Sequence, residues 1–139
     1  MTRHFTVEEA NRTLPLVSRI VRDILEHYAA WQRAVEAFEV ANADRRSAAN
    51  SAETEPLQRA AQALAQEIQG FLRELADIGV EFKGFEQGLV DFPGVVEGRA
   101  INWCWRYGEA SVQYWHEVDA GFEARQPIEA IALAGAPNR

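Results

Sequence analysis

Apolar residues in this chain recur at a spacing that only a helix brings to one side. Leu14, Val17, Val21, Ile24, Tyr28, Trp31, Val35 and Phe38 step alternately by three and four, which makes one seam at 3.6 residues per turn. Leu57, Ala61, Leu64, Ile68, Phe71, Leu75 and Ile78 repeat the pattern. Two such seams are buried most simply by facing each other. Between them, Arg45 to Glu55 is rich in Ser, Ala, Asn and Thr, and Pro56 suits the first turn of a new helix. The spacing therefore predicts a long antiparallel helical hairpin over residues 7–78, with a coiled-coil-like seam.

The boundaries have their own signals. Thr6 and Glu9 form a capping box that starts a helix at Val7. Pro15 lacks an N–H and disfavours helical geometry at Leu14, so a kink or a fresh start is expected there. Gly79 ends the second helical pattern as a residue suited to positive φ.

Beyond Gly79 the texture changes. Val80 to Phe85 and Gly88 to Phe92 read as short strands, with Pro93-Gly94 breaking the run. Residues 101–107 and 111–117 form the best hairpin, around Gly108-Glu109-Ala110. Residues 119–127 read as a loop. The fold class is α+β: the helical hairpin, then a small antiparallel β-meander over residues 80–118. One domain spans residues 1–128, and 129–139 read as a flexible tail.

The last hairpin concentrates unusual side chains. Three of the four Trp, the lone Cys and one of three His lie between Asn102 and Glu117. Ile101, Trp103, Trp105 and Tyr107 share one face, and Asn102, Cys104 and Arg106 the other. On the partner strand Trp115 alternates with Tyr114 and His116, so both faces carry aromatics. One helical hairpin covers one face, which leaves the other for a ligand or a second copy of the chain.

Composition narrows the function. Net charge is −7, with no basic field for a phosphate backbone, so nucleic acid is not an expected partner. No apolar stretch approaches the roughly 20 residues that span a bilayer, and the first residues lack a signal-peptide core. The chain reads as cytoplasmic, with no membrane partner. A lone cysteine forms no intramolecular disulfide.

Several stretches resemble a prokaryotic family catalogued as domain of unknown function 2203. They are Phe5-Thr6-Val7-Glu8-Glu9-Ala10-Asn11 with Leu14-Pro15, and Gly88-Leu89-Val90-Asp91-Phe92-Pro93. Cys104-Trp105-Arg106 with Gly108-Glu109, Tyr114-Trp115-His116, and Gly121-Phe122 with Arg125 and Pro127 complete the set. The similarity runs from about residue 4 to residue 128; Asn102-Trp103 is more polar and bulkier than the aliphatic pair the family would have. The resemblance implies a bacterial protein with the same helical hairpin. It implies no activity, cofactor or catalytic residue.

Asp91, Arg106, Glu109, His116 and Arg125 are expected to gather near the final hairpin as a ligand-binding or structural polar cluster. Asp91, Cys104 and His116 offer a carboxylate, a thiol and an imidazole, the donors zinc prefers, although no CxxC, HxH or HExxH spacing is present. Cys104 with His116 as base is a further catalytic arrangement, opposed by the acidic surroundings. The leading expectation is a non-enzymatic assembly or binding module, homodimeric. The alternative is a small-molecule or metal-binding protein, an enzyme or not, with a polar pocket at the C-terminal hairpin.

Overall fold

The structure is a computed structural model that describes residues 3–43 and 51–129. Two long helices, α1 (Val7–Ala43) and α2 (Ser51–Ile78), pack along each other. Among the described residues five antiparallel strands follow: β1 (Glu81–Gly84), β2 (Leu89–Val96), β3 (Arg99–Arg106), β4 (Tyr114–Glu117) and β5 (Gln126–Pro127). They lie in the order β1-β2-β3-β4-β5, so every strand pairs with its neighbour in sequence. No described helix is long and apolar enough to cross a membrane.

The capping box forms in both directions. The Glu9 N–H donates to Thr6 Oγ1 at 3.1 Å and the Thr6 N–H to Glu9 Oε1 at 3.0 Å, satisfying two amides a helix start otherwise leaves orphaned. At the far end of α2, Gly79 has φ +103°. The Val80 N–H reaches the Leu75 carbonyl and the Gly79 N–H the Ala76 carbonyl, each at 3.0 Å, which is the Schellman pairing.

Boundaries at the prolines differ from the sequence reading, and each has a physical reason. Helix α1 continues through Pro15 rather than restarting there. Helix α2 begins at Ser51, so Pro56 lies inside it rather than in its first turn. Both prolines are exposed, where water can take the carbonyl each leaves without a helical donor. The remainder of the expected polar loop, residues 45–50, and the tail from 130 lie outside the described residues. Strand β2 also runs through Pro93-Gly94 instead of ending there. The Pro93 carbonyl accepts from the Phe5 N–H at 2.7 Å. In a strand a residue's N–H and C=O point the same way, so the amide proline lacks is missing on the Phe5 side, not from the ladder to β3.

Burial along the hairpin is uneven. Near the sheet, Leu14, Val17, Val21, Ile24 and Leu75 are buried and join the core. Farther out, Tyr28, Trp31, Val35 and Phe38 are only half-buried. The helix-facing side of the sheet supplies Val90, Phe92, Trp103, Trp105 and Trp115 to the core. Phe5 completes it, its ring edge-on to Phe92 at 5.2 Å. The Trp103 indole N–H donates to the Phe5 carbonyl at 2.7 Å. Gly94 makes that approach possible, since a Cβ there would overlap Trp103 Nε1 and the Phe5 oxygen.

Candidate metal centre

Strand pairing decides what lies on the opposite side of the sheet. Asp91 faces Cys104, which faces Tyr114; in the next row Pro93 faces Asn102, which faces His116. Residues two apart share a face, so Asp91, Asn102, Cys104 and His116 all project away from the helices. Trp103 faces Trp115 across β3 and β4, so the three tryptophans of the hairpin collect on the helix-facing side. Both faces carry aromatics, as alternation predicts, but the face away from the helices joins Tyr114 to a row of polar groups.

These polar groups are enclosed. Asp91 and His116 are each 3% exposed and Cys104 1%. Their ligating atoms all lie within 4.8 Å of one another. The His116 Nδ1–H donates to the Glu117 carbonyl at 2.7 Å. A carbonyl only accepts, so that nitrogen carries the proton. Nε2 is thereby turned on Asp91 Oδ1 at 3.0 Å. Two lone pairs do not face each other at that distance without a proton or a cation between them.

The ionisation of the group follows from burial. Desolvation raises the Asp91 carboxyl above its ordinary value, with His116 and Lys83 pulling it back and Glu81 adding to the rise. Burial, followed by the neighbouring Asp91 charge, pushes the Cys104 thiol up to about 12. Without a metal Cys104 is therefore a protonated thiol at neutral pH. That is the wrong state for the nucleophile considered from sequence, whose base would be an imidazole already directed at Asp91.

A metal reverses this logic, because coordination deprotonates a thiol outright. Donor atoms in a tetrahedral zinc site stand roughly 3.3–3.7 Å apart, given bonds of about 2.0–2.3 Å. Closing the observed spread takes side-chain movement on the order of 1 Å. The triad opens onto a cavity of about 260 Å³ whose other lining residues are Lys83, Leu89, Val118, Ala120, Gly121 and Phe122.

Glu109 and Arg125 form a separate clasp. Arg125 Nη1 donates to Glu109 Oε2 at 2.9 Å and Nη2 to Oε1 at 2.8 Å. The Arg106 N–H donates to the same Oε1 at 3.0 Å. The guanidinium lies over Tyr114 at 3.9 Å and Phe122 at 4.6 Å. Burial opposes the Glu109 charge, but the hydrogen bonds from Arg125 and from the Arg106 amide, with the charge of Arg125, win and hold its carboxyl below the ordinary value. The five residues expected to gather thus fall into two groups. Asp91 and His116 join Cys104; Glu109 and Arg125 join the backbone of Arg106, whose side chain is exposed. Arg125 Nη2 also reaches the Cys104 carbonyl at 3.5 Å, so the clasp braces the strand that carries the thiol.

Three contributors were not singled out from sequence. Asn102 is buried beside His116, and Lys83 lines the cavity; only strand register reveals either. Asn11 accepts from the Val112 N–H at 2.7 Å and donates to its carbonyl at 3.4 Å. It ties α1 to the approach to β4.

The sequence profile described as "Uncharacterized conserved protein (DUF2203)" matches residues 3–128, and the chain belongs to that family. No curated protein and no solved structure matches it significantly.

Proposed function

We propose that this member of the DUF2203 family is a metal-binding protein in which Asp91, Cys104 and His116 hold one zinc-like divalent ion. The observation that carries the reading is the convergence of a buried carboxylate, thiol and imidazole within 4.8 Å on one sheet face, beside a cavity. Burying three ionisable groups together costs stability unless something joins them. A thiolate and an imidazole favour zinc, cobalt or ferrous iron over magnesium or calcium. A reducing, cytoplasmic setting would keep the thiol available. Elemental analysis of untagged protein, purified without chelator, is expected to give about one equivalent of such a metal per chain. Cys104→Ala and His116→Ala are expected to lose it while remaining folded. Wild-type protein that takes up neither zinc nor cobalt when these are supplied would defeat the proposal.

A second reading concerns assembly. Trp31, Val35 and Phe38 are half-buried on the outer arm of the hairpin, and Val40 is 60% exposed. Such an arm favours a homodimer in which two hairpins pair as a four-helix bundle, each seam then packed as in a coiled coil. Sedimentation equilibrium at micromolar concentration tests it: the expected result is twice the chain mass, and a monomer rejects it.

A further inference from the structure

We infer that the metal held by Asp91, Cys104 and His116 takes its fourth ligand from solution, and that this ligand is a short-chain carboxylate steered by Lys83. The inference rests on the metal-binding reading above. All three donors rise from one face of the sheet, on β2, β3 and β4. A metal among them has the strands on one side and the cavity on the other. None of the remaining lining residues carries a carboxylate, thiol or imidazole. Closed structural zinc sites use four protein ligands; sites that exchange or transform a ligand use three and leave one position open.

Charge and size select the ligand. Thiolate and carboxylate together balance a divalent ion. Lys83 then supplies the positive charge of the lining. Its partner Glu81 stands 3.4 Å away, and both side chains are about half exposed, at 50% and 52%. Such a pair is weak and screened by water, so an incoming anion can displace it. Arg125 is not among the lining residues, and its two terminal nitrogens are held by Glu109. Leu89, Val118 and Phe122 offer an apolar wall to the rest of the ligand. At about 260 Å³ the cavity lies below the roughly 300–1,000 Å³ of pockets that take drug-sized molecules. A carboxylate with a short aliphatic tail fits both the charge and the volume.

Cobalt(II) gives a direct readout, since its visible absorption reports coordination. The full chain is loaded with cobalt and titrated with acetate, then with butyrate. We expect saturable changes in the visible bands, with butyrate binding roughly tenfold tighter for its two extra methylenes. Lys83→Met is expected to weaken acetate binding roughly tenfold while leaving cobalt uptake unchanged. Absence of any thiolate-to-cobalt charge-transfer band removes the metal reading, and the inference with it. Bands that appear but stay unmoved at about 0.1 M acetate, far above a millimolar Kd, overturn the inference while the metal reading stands. An undiminished response in Lys83→Met overturns the assignment of Lys83.

Discussion

The two faces of the sheet differ by one residue of strand alternation, yet opposite physics governs them. On the helix side Val90, Phe92, Trp103 and Trp105 are almost fully buried against the hairpin, and removing their apolar area from water drives folding. On the other side Asp91, Cys104 and His116 are buried to the same degree, and the same dehydration works against them. The first face explains why the chain folds. The second is a cost the first sustains, and such a cost is what the proposed metal site would carry.

The contrast predicts a graded series of effects. The largest belongs to the helix side. Trp105→Ala should lower stability by about 3–5 kcal/mol, from the cavity it leaves and the lost indole bond to the Glu109 carbonyl. Urea unfolding measures it, and a loss under about 1 kcal/mol would break the comparison. The helical cover should respond similarly. Ile68 is buried and Gln69 exposed, so Ile68→Asp should cost on the order of 3 kcal/mol or more, and Gln69→Asp under about 0.5. Equal thermal shifts for these two would remove the proposed packing.

Intermediate effects belong to the clasp. Glu109→Gln removes charge-assisted hydrogen bonds from Arg125 and the Arg106 amide, and should cost about 1.5–3 kcal/mol at neutral pH. Of the buried groups, the triad should show the smallest effect. In metal-free protein Asp91→Asn should change stability by less than about 1 kcal/mol at neutral pH, because the native carboxylate is itself poorly solvated there.

The two carboxylates should also carry opposite pH dependences. Glu109 titrates below its ordinary 4.5, so its contribution is present above that value and fades as pH falls through the folded pKa. Asp91 titrates above its ordinary 3.8, so its contribution is full below 3.8 and fades as pH rises through the folded pKa. Comparing each variant with wild type from about pH 3 to 7 by urea unfolding exposes the difference. Slopes of the same sign would show that the two sites do not differ as described.

The sequence carried the helical hairpin well because its signals are local. Seam spacing, the Thr6–Glu9 box and Gly79 each act within a few residues, and each appears in the structure. The meander was legible for the same reason, in turn residues such as Gly108, which has positive φ. What local pattern did not convey was register. Pairing Asp91 with Cys104 and Asn102 with His116 is a relation between strands, and a one-residue slip would reverse every side chain. Hence Asp91, Cys104 and His116 were nameable as donors, but their separation from Glu109 and Arg125 was not. Pro93 misled in the same way: it signals a break unless its missing amide points away from the ladder. The short β5 and the 3-10 turn at Phe122–Ala124 also replaced part of an expected loop; β5 is held by pairing to β4, another non-local contact.

Whether the polar face holds a metal is tested most directly by native mass spectrometry of the untagged chain after zinc exposure. Wild-type protein should carry one zinc per chain. Cys104→Ala and His116→Ala should carry none, and Glu109→Gln, altered only in the clasp, should keep it. A wild-type chain without zinc, or zinc retained undiminished by both triad variants, would contradict the account.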